Sequence, residues 1–141
     1  MKIDLNRFVE AQAASYQTAL LEIKTGRKRS HWMWYVFPQI QGLGQSETAR
    51  FYAIQNLREA EEYARHPVLG PRLVEISTAL LGLNTNDAHA IMGSPDGLKL
   101  KSSMTLFGAL PAANPVFVAV LDKFFGGAQD EKTLRIIGPT R

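Results

Sequence analysis

The densest group of chemistry-bearing side chains lies in the first third of the chain. Three consecutive cations, Arg27, Lys28 and Arg29, precede a run that is rich in histidine and aromatic residues. Guanidinium groups bind phosphate through paired hydrogen bonds, and aromatic rings stack on nucleotide bases. We therefore expect the three cations to meet phosphate and Trp32 or Trp34 to stack on a base.

The same segment also has a structural interpretation. Cations after the end of a helix complement its dipole, and the aromatic side chains from Trp32 to Phe37 can fill the core. His31 stands where the cations meet the aromatic residues. It is our candidate acid or base for hydrolysis of an N-glycosidic bond with water as nucleophile, although a single histidine is more often structural.

A second group of polar side chains lies further along, where two lysines and three hydroxyls fall between residues 99 and 105. Ammonium and hydroxyl groups together bind anions, so we expect Lys99, Lys101 and Ser103 to complete a ligand pocket if the fold brings them close to Arg29. The alternative is a partly exposed helix with a buried apolar side. Neither a GxSxG elbow nor a phosphate-binding GxxxxGK[ST] loop occurs in the chain.

Composition excludes several classes of chemistry. The chain of 141 residues has no cysteine, which rules out thiol catalysis and fits a cytoplasmic location. Its three histidines, His31, His66 and His89, are scattered, so we expect no metal site and no cofactor. The first ten residues resemble no signal peptide, and no apolar run is long enough to cross a membrane. The net charge of +3 permits an anionic partner.

Apolar residues at helical spacing predict a mainly α-helical, compact single domain over residues 1–141, with little or no β structure. The clearest helix runs from the capping residue Asp4 to Gly26, with Phe8, Tyr16 and Ile23 on one stripe. Further helices are expected to begin after side chains that cap helix N-termini: Ser46, Asn56, Asp87 and Asn114. A short helix is also expected from Asp130 to Ile137. Phe124 is expected to lie on the buried face of the penultimate helix.

The block from His31 to Phe37 is ambiguous. Its alternation of residue types suits a strand, whereas Ser30 as N-cap and Pro38 as stop suit a short helix. We favour the helix because nothing else in the sequence offers a convincing partner strand.

Several blocks of the sequence resemble the bacterial family of unknown function DUF1810, some of whose members are labelled calpastatin-like. These blocks follow one another in order along nearly the whole chain: Gly26–Trp34, Phe37–Gln39, His66–Leu73, Lys99–Phe107 and Leu121–Phe125. The resemblance implies a small, predominantly helical protein with no established activity.

A second similarity, over Ser46–Ile137, is to the NADAR superfamily, whose members act on ADP-ribosyl or related N-glycosidic substrates. A basic helix containing methionine and a late Lys-Phe block come in a comparable order. The chain departs from that family in lacking its Glu-His-Tyr-Phe segment and its late Trp-Gly pair, since the only tryptophans are Trp32 and Trp34. The similarity implies that the ligand resembles ADP-ribose.

Two functions follow as hypotheses. The first is binding of a phosphorylated nucleotide or ADP-ribose-like small molecule in a basic, aromatic pocket, with hydrolysis as its extension. The second is a helical interaction module, without enzymatic activity, whose basic face binds protein or nucleic acid. The sequence does not indicate an oligomeric state.

Overall fold

A computed structural model describes residues 3–138, which form nine helices and no strand. In chain order the helices are α1 Asn6–Lys24, α2 Met33–Val36, α3 Glu47–Tyr52, α4 Leu57–Arg65, α5 Leu69–Leu81, α6 Ala88–Met92, α7 Asp96–Gly108, α8 Val116–Phe125 and α9 Glu131–Ile137. One isolated parallel bridge joins Ile40 to Ile54. The prediction of a mainly α-helical chain with little or no β structure is confirmed.

The predicted apolar stripe of α1 is buried. Phe8 and Ile23 are fully buried, and Tyr16 is 2% exposed. The N-cap position of α1 is Leu5, one residue after the predicted Asp4, although the Asp4 carboxylate still accepts a hydrogen bond from the Asn6 N–H. Gly26 follows the helix with a φ of +87°, a conformation that glycine adopts without steric cost. The stripe packs α1 against α5 and α2.

Side-chain caps define the starts of four of the other eight helices in the described range. Three of the four capping residues predicted for these helices occupy the N-cap position and accept a hydrogen bond from a backbone N–H in the first turn: Ser46, Asn56 and Asp87. The fourth, Asn114, accepts one from the Val116 N–H, but the N-cap position of α8 is Pro115. Asp130, where the last helix was expected to begin, is its N-cap and accepts from the Thr133 N–H. Such contacts satisfy backbone donors that have no partner inside the helix. They explain why the predicted and observed boundaries agree.

The ambiguous block folds as α2, a helix of only four residues. The expected helix is therefore present, but Ser30 is not its N-cap. The Ser30 hydroxyl instead donates to the Glu22 carboxylate at 2.6 Å. An ionised carboxylate is the stronger acceptor, so it takes the hydroxyl away from the local capping role.

The centre of the protein is built on α7, which packs against α4, α6, α8 and α9. Its apolar side chains Leu100, Met104 and Phe107 are fully buried. α8 completes this layer by packing against both α7 and α5. Because α7 is packed against these helices, its first turn is held in place next to the segment that follows α1.

Replacement of Phe124 tests the packing of α8. Phe124 is 9% exposed, whereas Val118 on an exposed face of the same helix is 48% exposed. We expect Phe124→Ala to lower the free energy of unfolding by about 3–5 kcal/mol, since it removes a buried ring and leaves a cavity. Val118→Ala, the matched control, should change it by no more than about 0.5 kcal/mol. Urea denaturation followed by circular dichroism measures both, and a loss below about 1 kcal/mol for Phe124→Ala would contradict the packing.

Candidate functional site

The segment that follows α1 is wrapped around the carboxylate of Glu22. Oε1 accepts hydrogen bonds from the Arg29 N–H at 2.9 Å, the Ser30 N–H at 3.0 Å and the Trp32 indole N–H at 2.8 Å. Oε2 accepts from the Ser30 hydroxyl. Four donors therefore fix residues 29–32 against the last turns of α1.

Burial raises the pKa of the Glu22 carboxyl, but the donated hydrogen bonds act in the other direction and outweigh it. The bonds from the Ser30 hydroxyl, the Arg29 N–H, the Trp32 indole and the Ser30 N–H lower the pKa to about 2. Glu22 is thus ionised at neutral pH although it is only 8% exposed. Its role is to hold the segment.

Lys28 joins this segment to α7. Its ammonium lies 3.0 Å from the Asp96 carboxylate and 5.0 Å from the centre of the Trp32 ring, and it donates to the carbonyl of Ser30. The Lys28 side chain is only 6% exposed. Its backbone N–H donates to the carbonyl of Ile91 at 2.7 Å. The predicted contact of Lys28 with phosphate does not fit this geometry, because the ammonium is enclosed and neutralised by Asp96.

Two more predicted ligand contacts are enclosed in the protein. Trp32 is 1% exposed, and its indole N–H is taken by Glu22, so the ring has no face on which a base can stack. Ser103 is fully buried, and its hydroxyl has no hydrogen-bond partner among the described residues. Both side chains belong to the interior; the structural interpretation anticipated this for Trp32 but not for the polar Ser103.

The two lysines of α7 lie in different surroundings. The ammonium of Lys99 lies 5.8 Å from the Trp34 ring centre and 3.7 Å from Asp96. The ammonium of Lys101 lies 5.9 Å from the Phe125 ring centre, on α8. Residues two apart on a helix do not face the same way. Lys101 is therefore not placed to share a site with Lys99.

The remaining candidates lie on the two segments that the Lys28–Asp96 ion pair holds together. Arg27, Arg29 and His31 are exposed, and Trp34 and Lys99 are partly exposed. We call this set the basic face: Arg27, Arg29, His31, Trp34 and Lys99. Within this set, the Lys99 ammonium lies 5.8 Å from the ring centre of Trp34, whose indole is partly accessible.

The basic face is open. The cavity beside Trp34 and Lys99 measures only about 20 Å³, which is room for one water molecule. A ligand must therefore lie on the surface, and the enclosed pocket anticipated from the sequence is not found here. Within residues 3–138 no three histidine or carboxylate side chains cluster closely enough to hold a metal ion. No helix in that range is long and apolar enough to span a membrane.

A buried polar network crosses the interior on the other side of α1, and sequence reasoning missed it. The Gln12 amide donates to the Tyr35 carbonyl at 2.8 Å and to the Tyr63 hydroxyl at 2.9 Å. The Tyr16 hydroxyl donates to Glu75 at 2.6 Å. Burial raises the pKa of both Tyr16 and Tyr63, so both stay neutral donors at physiological pH. The sequence did contain a sign of this network, because Gln12 is a polar residue on the apolar stripe, one turn from both Phe8 and Tyr16.

Comparison with known proteins places the chain in a family. The model of the DUF1810 family, described as a protein of unknown function, matches residues 2–137, and the chain belongs to that family. A crystal structure of the conserved hypothetical protein Rv1873 from Mycobacterium tuberculosis is 47% identical in sequence and superposes with a TM-score of 0.94. The match covers 97% of this chain and 98% of that one. No curated protein matches the chain.

The lowered pKa of Glu22 predicts how stability depends on pH. The folded-state pKa of about 2 lies below the ordinary value of 4.5, so the ionised carboxylate contributes stability that is fully present above pH 4.5. This contribution, about 3 kcal/mol, is lost as the pH falls from 4.5 towards 2. We expect Glu22→Gln to lower the free energy of unfolding at neutral pH, and its difference from the wild type to shrink towards pH 2.

Urea unfolding at several pH values measures this difference. Glu10→Gln, which alters an exposed carboxylate of the same helix, is the control and should leave the wild-type pH profile in place. A difference between Glu22→Gln and the wild type that stays constant over the acid range would show that the carboxylate is not stabilised as described.

Proposed function

We propose that the protein binds a phosphorylated, nucleotide-like ligand of the ADP-ribose kind on the basic face. The observation that carries the proposal is the position of the Lys99 ammonium, 5.8 Å from the ring of the partly exposed Trp34. A cation beside an accessible indole offers a phosphate group and a base their preferred partners within one ligand's reach.

The charge balance of the surrounding segments supports an anionic ligand. Residues 22–34 and 96–99 contain five lysines and arginines and two carboxylates. Both carboxylates are already engaged, Glu22 by four hydrogen bonds and Asp96 by the ammonium groups of Lys28 and Lys99. Arg27 and Arg29 are exposed, and neither forms an ion pair with another residue in the range 3–138.

We do not propose that the protein hydrolyses this ligand. A general acid or base must be held against the reacting bond. Among the described residues no side chain hydrogen-bonds the His31 imidazole, so nothing orients it for proton transfer. We assign His31 to ligand contact. We also propose a cytoplasmic location, because a chain without cysteine fits a reducing compartment.

Tryptophan fluorescence provides a direct test with ADP-ribose as the probe. Trp32 is buried and Trp34 is not, so binding should quench the emission of Trp34, and Trp34→Phe should abolish the quenching. Calorimetry should show Trp34→Leu binding about tenfold more weakly, since stacking contributes about 1–3 kcal/mol per base. Lys99→Gln should lose a similar factor, because it removes a charge-assisted contact of about 1.5–3 kcal/mol.

Lys132→Gln, which neutralises an exposed lysine on α9, is the matched control and should bind as the wild type does. Equal affinity of the wild type, Trp34→Leu and Lys99→Gln, with unchanged melting temperatures, would show that the ligand does not use the basic face.

A second candidate function is binding of single-stranded nucleic acid. The basic face is not enclosed, and this favours nucleic acid, because a single strand can extend along the surface beyond Trp34 whereas a small ligand cannot. Salt dependence separates the two candidates. If Arg27, Arg29 and Lys99 each neutralise one phosphate of a single strand, the logarithm of the binding constant should fall linearly with the logarithm of the salt concentration. The slope should be near −2, because each neutralised phosphate contributes about −0.7.

For the nucleotide ligand that we favour, an oligothymidylate of about eight residues should bind no more tightly than a dinucleotide. Titrations of both at low and high salt, with the double variant Arg27→Gln/Arg29→Gln, measure this. Affinity that rises with strand length, and a slope that falls in the double variant, would replace the nucleotide proposal with the nucleic-acid one.

A further inference from the structure

A groove unrelated to the basic face lies between the corner that joins α4 to α5 and the segment 109–115 that joins α7 to α8. Its volume is about 690 Å³, within the range of small-ligand sites. The rings of Phe107 and Phe117, with centres 5.9 Å apart, close its floor and are themselves almost fully buried. A ligand would therefore contact mainly the residues at the sides of the groove.

The walls of the groove are apolar and stiff. Pro67, Pro71, Val74, Pro111 and Ala113 line them. Proline fixes its own φ angle, and none of these side chains is long enough to fold across the opening. The groove is thus already formed without a ligand, which lowers the cost of binding.

One end of the groove carries hydrogen-bond donors. The Nδ1 atom of His66 accepts hydrogen bonds from the backbone N–H groups of Val68 and Leu69, at 3.1 and 3.2 Å. When Nδ1 is an acceptor, the ring proton of a neutral imidazole lies on Nε2. His66 therefore offers a fixed N–H donor next to the exposed guanidinium of Arg65, and both residues line the groove.

The groove also carries carboxylates. Glu75 lies six residues after the first residue of α5, about 9 Å further along the helix axis. The Tyr16 hydroxyl holds its Oε1 at 2.6 Å, and Oε2 accepts no hydrogen bond from the described residues. Glu61 lines the groove as well. An apolar surface with a donor pair at one place and a fixed carboxylate at another is complementary to an apolar ligand with opposite charges at its two ends.

We propose that this groove binds a short apolar peptide with free termini. The peptide's carboxylate meets Arg65 and His66, and its ammonium meets the free oxygen of Glu75. An extended tripeptide spans about 10 Å, which is enough to run along the nearly two helical turns of α5 between its start at the α4–α5 corner and Glu75. A simple fatty acid would leave Glu75 facing an uncharged chain, which is why the zwitterion is the better occupant.

The probe is the tripeptide Leu-Ala-Leu in three forms: with free termini, N-acetylated and C-amidated. We expect the free form to bind the wild-type protein in calorimetry and to shift the NMR amide signals of Gly70, Val74 and Ala113. Blocking either end should weaken binding about tenfold, since each removes a charge-assisted contact. These comparisons use the unaltered protein, so they do not depend on how a variant folds.

Two variants then assign the ends. Glu75→Gln should bind the free and N-acetylated peptides equally, and Arg65→Gln should become insensitive to C-amidation. Glu62→Gln on the same helix as Arg65 lies outside the groove and should behave as the wild type. Equal binding of all three peptides by the wild type, shifts confined to other residues, or no binding at millimolar peptide would each overturn the proposal.

Discussion

The buried carboxylate of Glu22 is the interaction on which the arrangement of the basic face depends. An ionised group removed from water is costly unless hydrogen bonds replace its hydration. The chain meets this requirement with four donors from the segment that follows α1. That segment therefore has no freedom to continue as a helix from Ser30, and Trp32 is drawn inward with its indole N–H.

The position of Trp32 is connected to that of Lys99 through a chain of charged side chains. Its ring lies 5.0 Å from the Lys28 ammonium, which in turn reaches Asp96 at the start of α7. A buried lysine needs such partners for its charge, so this contact ties two segments that lie almost seventy residues apart in sequence. Asp96 also attracts Lys99, and Lys99 is thereby held near Trp34.

Local rules predicted the helices well because their causes are local. A capping side chain such as Asn56 acts within three residues, and the stripe of α1 repeats within each turn. The roles of the cations could not be predicted in the same way. Adjacent residues Arg27 and Lys28 have the same chemistry, and only the distant Asp96 makes one of them structural. Ser103 is buried because α7 is central, and its neighbours in sequence do not reveal that.

Unused bonding capacity separates the groups that hold the fold from the groups that can serve a ligand. Glu22 and Lys28 have their hydrogen bonds and charges satisfied inside the protein, so a ligand has nothing to gain from them. The same test turns attention to His66, which was not among the ligand contacts predicted from the sequence. Its Nδ1 is committed to the start of α5, and this commitment leaves a single, oriented N–H donor. A cap that stabilises one helix thus also prepares a polar contact at the end of an apolar groove.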